Sequence, residues 1–136
     1  PRMDCEGAYT EVIFNWLNNI KNGKKEITVF GDPNEKILDL VYIDDVINAI
    51  ILSTFNSNKH IFNVSTQHGI SLTKLIEVIE LVTGEHLKVN ILPENRNDIE
   101  NKRVGDISNL KDLGWWNDTT IIGGIRKTNE WITGLE

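Results

Sequence analysis

The residues best placed to do chemistry in this chain are carboxylates. Asp44 and Asp45 stand side by side, and Asp39 interrupts the otherwise apolar run Ile37–Ile43. A carboxylate pair can divide acid and base roles when its environments pull the two pKa values apart. Here, however, the pair falls between a strand-like run and an apolar-striped helix, where acidic residues cap helix ends and suit the helix dipole. Capping is therefore the expected role, and no catalytic residue is assigned to this chain.

Other reactive side chains lack partners in sequence. His60, His68 and His86 are scattered, with none of the spacings that build a zinc site, so no metal is expected. Cys5 is the single cysteine, which leaves neither a disulfide framework nor a thiolate cluster. There is no G-x-G-x-x-G, no G-x-x-x-x-G-K-[ST] and no G-x-S-x-G. Dinucleotide and P-loop phosphate cradles and a serine-nucleophile elbow are thereby missing from these residues.

The elements that position these residues follow from periodicity. Val12, Ile13, Trp16, Leu17 and Ile20 form one helical stripe between Thr10 and Gly23. Thr10 can cap its start and Gly23 can close its end in a left-handed conformation. Ile27–Phe30 predicts a strand and Gly31-Asp32-Pro33-Asn34 a turn. Ile37–Ile43 predicts a second, mostly buried strand, joined by a link short enough for antiparallel pairing with the first. A helix follows from Asp44 to about Phe55, ended by Asn56-Ser57-Asn58. Ile61–Val64 predicts a short strand. Ser71 caps a helix striped by Leu72, Leu75, Ile76, Ile79 and Val82 and closed by Gly84.

Leu87–Leu92 alternates as a strand does, and residues 93–105 are polar and aperiodic, a long surface loop. A short helix over 106–113 stops at Gly114. Thr119 or Thr120 caps a last helix with Ile121, Ile122, Ile125, Trp131 and Ile132 facing inward. Strands alternating with amphipathic helices predict an α/β fold.

Composition narrows the function classes. A 136-residue chain fits one domain. The net charge of -6 argues against a nucleic-acid binder, although a single phosphate pocket needs only a few placed cations. No apolar run is long enough to span a bilayer, so no membrane partner is expected and a cytoplasmic location is. The chain opens on Pro1-Arg2-Met3 with an element starting within ten residues, which reads as a piece of something longer.

Taken in order, the motifs resemble the C-terminal, substrate-binding part of the extended short-chain dehydrogenases, the NAD-dependent nucleotide-sugar epimerase/dehydratase family. Pro1-Arg2 resembles the second half of its Tyr-Gly-Pro-Arg. Val29-Phe30-Gly31-Asp32 and Asp39-Leu40-Val41-Tyr42-Ile43-Asp44-Asp45-Val46 match the two ends of its next signature. Phe62-Asn63-Val64, Ser71-Leu72, Arg103–Ser108, Leu113-Gly114-Trp115 and Ile121–Trp131 match later ones in family order. The opening residues are similar to those of sugar-nucleotide 4-epimerases. Two departures stand out: Leu38 replaces the arginine that usually precedes the aspartate, and Pro33 replaces a turn glycine.

The resemblance implies an α/β, Rossmann-type enzyme of which residues 1–136 are the substrate-binding portion. The NAD-binding Rossmann part, with its glycine-rich loop and Tyr-x-x-x-Lys, would lie outside this chain and hold most of the NAD. The implied partners are a UDP-sugar and that missing part. The implied reaction is 4-epimerisation through a 4-keto sugar, with hydride passing to NAD and back, and the chain by itself should be inactive. The alternatives are the same part of a dehydratase or decarboxylase, or a non-catalytic sugar-nucleotide-binding or assembly module. The implied substrate-binding residues are Thr28, Val29 and Phe30 at the base, with Phe30 either stacking or ending its strand as a core aromatic. Arg96 and Arg103 would grip the diphosphate, unless they are solvated loop charges, and Asp39 would orient a ligand or a neighbouring arginine, unless it makes a buried structural hydrogen bond. Apolar surface left by the missing part should drive self-association, so a homo-oligomer is expected.

Overall fold

The computed structural model describes residues 12–56, 61–93 and 102–134. These residues form two small sheets and five helices. The first strand, β1 (Glu26–Phe30), lies parallel to β4 (Lys88–Leu92), in register from Glu26 opposite Lys88 to Phe30 opposite Leu92. A second, smaller sheet runs in the order β3 (Ile70–Ser71), β2 (Ile37–Leu38), β5 (Lys102–Arg103). In it β2 is antiparallel to β3 and parallel to β5.

Three helices, α1 (Val12–Lys21), α3 (Leu72–Thr83) and α5 (Ile121–Thr133), build the main core with β1. Helical spacing puts Ile13, Phe14, Trp16 and Leu17 on the buried face of α1, and Leu75, Ile76, Val78 and Ile79 on that of α3. Strand alternation turns Ile27 and Val29 inward and Glu26, Thr28 and Phe30 outward. The predicted stops hold where glycine is required: Gly23 at φ 76 and Gly84 at φ 71 are left-handed closures, and the Gly84 N–H donates to the Glu80 carbonyl. The Ser71 hydroxyl accepts from the Lys74 N–H at 3.2 Å, and Thr120 caps α5 by accepting from Gly123 at 3.2 Å.

A second core cluster, Ala49, Ile107, Leu110 and Trp115, holds α2 (Ile43–Asn56) against α4 (Ser108–Lys111).

The α/β class is thus as expected, with corrections in the strands. β1 and β2 do not pair. β1 takes β4 as a parallel partner after a crossover through α2 and α3, as parallel pairing demands. The strand expected over Ile37–Ile43 is two residues long, because the Asp39 side chain bonds to a neighbouring turn and the chain turns helical at Ile43. Residues 61–64 form no strand: Phe62 and Val64 pack on the second core without joining a ladder. Ile122, expected inside, is 36% exposed. The Thr10 cap, Pro1-Arg2, Cys5, the Ser57-Asn58 stop and most of the 93–105 loop lie outside the described residues.

Candidate functional site

Asp39 is the centre of the best-built polar arrangement. Its Oδ1 accepts from the Thr66 N–H at 2.8 Å and the Thr66 hydroxyl at 2.6 Å. Its Oδ2 accepts from the Gln67 N–H at 3.1 Å and from the Ser65 hydroxyl. Partial burial works to raise the Asp39 pKa, but the bonds from Ser65, Thr66 and Gln67 outweigh it and hold the group below the ordinary carboxylate range. The carboxylate is ionised and its acceptor sites are filled. These bonds tie Asp39 to the turn over Ser65–Gln67.

The clamped turn carries the one positive-φ non-glycine residue among those described, Gln67 at φ 60. Such a conformation persists when surrounding bonds over-determine it, as Asp39 does here. Ser65 is buried, and its hydroxyl also lies 3.2 Å from the Gly105 carbonyl. A Cβ at Gly105 would come within 2.8 Å of the Ser65 Cβ, so only glycine lets β5 and the following residues run this close.

This joint forms one wall of a groove of about 560 Å³, also lined by Phe62, Asn63, Lys102 and Arg103. A second groove of about 490 Å³ is mostly apolar and lined by Leu38, Leu40, Tyr42, Ile121 and Gly124. Asp39 and Arg103 line both. With Lys102 and Arg103 adjacent on an exposed two-residue strand, the first groove offers cations and an amide, donors of the kind an oxyanion takes.

The structure therefore brings Asp39 and Arg103 together and leaves the other expected residues apart. Thr28, Val29 and Phe30 belong to the other sheet and line neither groove. Val29 is in the core, which leaves only its backbone to a ligand. Phe30 is 45% exposed and so is not the core aromatic that a strand end allowed; its ring is open to solvent. Arg96 lies outside the described residues.

Sequence reasoning did not single out Lys102, Ser65 or Gly105. An aspartate in an apolar run was the available signal, since it requires nearby donors, and Ser65-Thr66 supplies them. The Asn63 amide donates to the Asp106 carbonyl at 3.2 Å.

The aspartate pair also departs from expectation. Neither residue caps α2, which begins one residue earlier with the Tyr42 carbonyl accepting from Asp45 and Val46. Buried Asp45 instead accepts from the N–H groups of Asp118 at 3.2 Å and Thr119 at 3.1 Å. Asp44 pairs at 3.4 Å with Lys127, whose ammonium sits 4.8 Å from the centre of the Tyr42 ring. Each aspartate ties α2 to the start or face of α5.

Among the described residues no helix is long and apolar enough to cross a membrane, and no group of three metal-ligating side chains occurs. Nor do they offer a glycine-rich strand-to-helix turn: the positive-φ glycines end helices or sit in the Phe30–Asp32 turn. They do not fit a dinucleotide.

The model of the NAD dependent epimerase/dehydratase family matches residues 1–65. A UDP-glucose 4-epimerase of Lactobacillus helveticus is 29% identical over 115 residues, covering 78% of this chain and 35% of its own length. The solved UDP-glucose 4-epimerase of Thermotoga maritima with UDP-glucose superposes at a TM-score of 0.85 with 28% identity, over 96% of this chain and 41% of that one. The UDP-N-acetylglucosamine 4-epimerase of Methanobrevibacter ruminantium in complex with UDP-N-acetylmuramic acid gives 0.89 and 28%, over 100% of this chain and 43% of that one. The chain thus spans about a third of the length of the curated relatives it matches.

Proposed function

We propose that this chain, which belongs to the NAD dependent epimerase/dehydratase family, is the nucleotide-sugar-binding part of a UDP-sugar 4-epimerase. The carrying observation is its match, end to end, to two epimerases solved with UDP-linked sugars. The groove beside Arg103 and Lys102 supports the reading, because adjacent cations with an amide suit a diphosphate. Phe30, exposed on the other sheet, is the candidate for stacking on the base.

In this reading residues 1–136 are one substrate-binding portion. NAD would be held by a separate part of the enzyme and would supply the hydride acceptor and donor for a 4-keto sugar. This chain's contribution is grip on the nucleotide, and remote binding of that kind positions the reacting sugar. The dehydratase, decarboxylase and free-standing binding-module alternatives share the groove and differ in what completes it.

The test is a titration. In the protein completed by its NAD-holding part, Arg103→Ala should weaken UDP-sugar binding by about 1.5–3 kcal/mol, as loss of a charge-assisted hydrogen bond does. An unchanged affinity would return Arg103 to a solvated charge. The chain by itself should give no heat with NAD, and micromolar NAD binding would overturn the division of labour.

A further inference from the structure

The outer face of the β1–β4 pair carries an order that neither groove uses. Register puts Glu26 beside Lys88, Thr28 beside Asn90 and Phe30 beside Leu92, and side chains paired in this way share a face. The face therefore runs from an ion pair, through two uncharged polar residues, to exposed apolar Phe30 and Leu92. Half-buried Asn90 stands between the two ends. Its Nδ2 donates to Glu26 Oε1, to which the Lys88 ammonium also donates at 3.1 Å. The bonds from Asn90 and Lys88 hold the Glu26 carboxyl below its ordinary range, so it is ionised at neutral pH.

An amide has two unlike ends, a carbonyl that accepts and an NH2 that donates, whereas an ionised carboxylate only accepts. Glu26 therefore takes the NH2 end of Asn90 and leaves the carbonyl end as an acceptor on this face. Among the described residues that oxygen receives no hydrogen bond. The backbone positions of Phe30 and Asn90 are about 8 Å apart, given a rise of about 3.3 Å per residue and a strand spacing of about 4.8 Å. A single ring lying on Phe30 can reach Asn90 with its edge.

We propose that Asn90, oriented by Glu26, selects the base of the nucleotide, its carbonyl accepting the N3–H of a uracil that lies on Phe30. The inference rests on the proposed function for the presence of a nucleotide and for Phe30 as the stacking residue. Stacking alone is tolerant of which base it holds, so Phe30 does not tell uracil from cytosine. Their hydrogen-bond patterns differ, because N3 is a donor in uracil and an acceptor in cytosine. A freely turning amide would suit both. Turned about to donate to cytosine, Asn90 would set its own oxygen against the Glu26 carboxylate, and two facing acceptors are unfavourable. Asn90 is thus a specificity-determining residue and Glu26 a positioning residue.

The experiment titrates UDP and CDP into the protein completed by its NAD-holding part, and into its Asn90→Leu and Glu26→Gln variants. The parent should bind UDP at least about tenfold more tightly than CDP. Asn90→Leu should bring the two within about threefold of each other by weakening UDP. Glu26→Gln leaves Asn90 in place but gives it a neighbour that can donate or accept, so the amide can turn. In that variant CDP should bind about fivefold more tightly, with UDP changed less than about twofold. A gain for the wrong base is a result that mere loss of structure does not give. A parent that binds UDP and CDP equally keeps the proposed function and overturns the inference. So does an unchanged ratio in either variant, or a ratio in Glu26→Gln that falls only through weaker UDP. Binding of neither nucleotide by the parent overturns the function and the inference together.

Discussion

Replacing Asp39 tests the joint on which the candidate groove is built. Its carboxylate takes four hydrogen bonds, but the donors differ in what they can do without it. The Ser65 hydroxyl can turn to the Gly105 carbonyl 3.2 Å away, and the Thr66 hydroxyl to the His68 carbonyl at 3.3 Å. The Gln67 N–H already lies 3.0 Å from the Ser65 oxygen. The Thr66 N–H has Asp39 as the acceptor the structure gives it.

Asp39→Asn keeps one oxygen for Thr66 and turns its amide toward the donors that have a second acceptor. It loses charge assistance and should cost about 1.5 kcal/mol. Asp39→Ala leaves the Thr66 N–H without an acceptor and frees the strained Gln67, and should cost about 3 kcal/mol. Urea unfolding at neutral pH reads both as shifts in midpoint at constant slope.

The pH dependence has a definite sign. Asp39 titrates lower in the folded chain than in the unfolded one, where its pKa is about 3.9. Its contribution is therefore full above that value and is lost as pH falls through the folded value. The gap between the parent chain and Asp39→Asn should stay level down to about pH 5 and narrow below about pH 4. Asp39→Ala within about 0.5 kcal/mol of the parent, or a gap that widens toward acid, would refute the clamp.

Two further substitutions probe the neighbouring joints. Asp45→Ala removes the acceptor for two backbone N–H groups at the entry to α5 and should cost about 2–3 kcal/mol; amide exchange at Thr119 should rise, and unchanged exchange would contradict the assignment. Leu38 lies in register beside Arg103, so Leu38→Arg puts like charges on neighbouring strands and should lower stability by about 0.5–1 kcal/mol. Saturating UDP should then raise the melting temperature more in this variant than in the parent, and an equal or smaller rise would count against a diphosphate in the groove.

The helices were legible because their information is local. The stripes of α1 and α3, the caps Ser71 and Thr120, and the closing glycines 23 and 84 each act within a turn or two of the chain. The small sheet was not. Its strands are two residues long and form from segments more than thirty residues apart, so no periodicity could announce them. The aspartate pair misled for the same reason: helix-start chemistry is local, while the true partners of Asp45 are 73 and 74 residues away. Arg103 was singled out through the resemblance, and Lys102 beside it was not.

The two grooves also limit what kind of contribution these residues can make. Their titratable lining groups are Asp39, Tyr42, Lys102 and Arg103. Proton transfer at neutral pH calls for a group poised near 7 within reach of the reacting atom. Asp39 is moved the opposite way, and its acceptor sites are already filled by the turn it clamps. A carboxylate so committed is a strut, since exchanging its proton would require breaking the bonds that shape the groove. Among the described residues, no histidine or cysteine lines either groove. What is left is fixed positive charge on a short strand, beside a turn locked by an ionised carboxylate. Under the proposed function, such an arrangement would contribute grip on an anion. Binding energy of this sort raises a reaction rate only when another group uses the position it imposes.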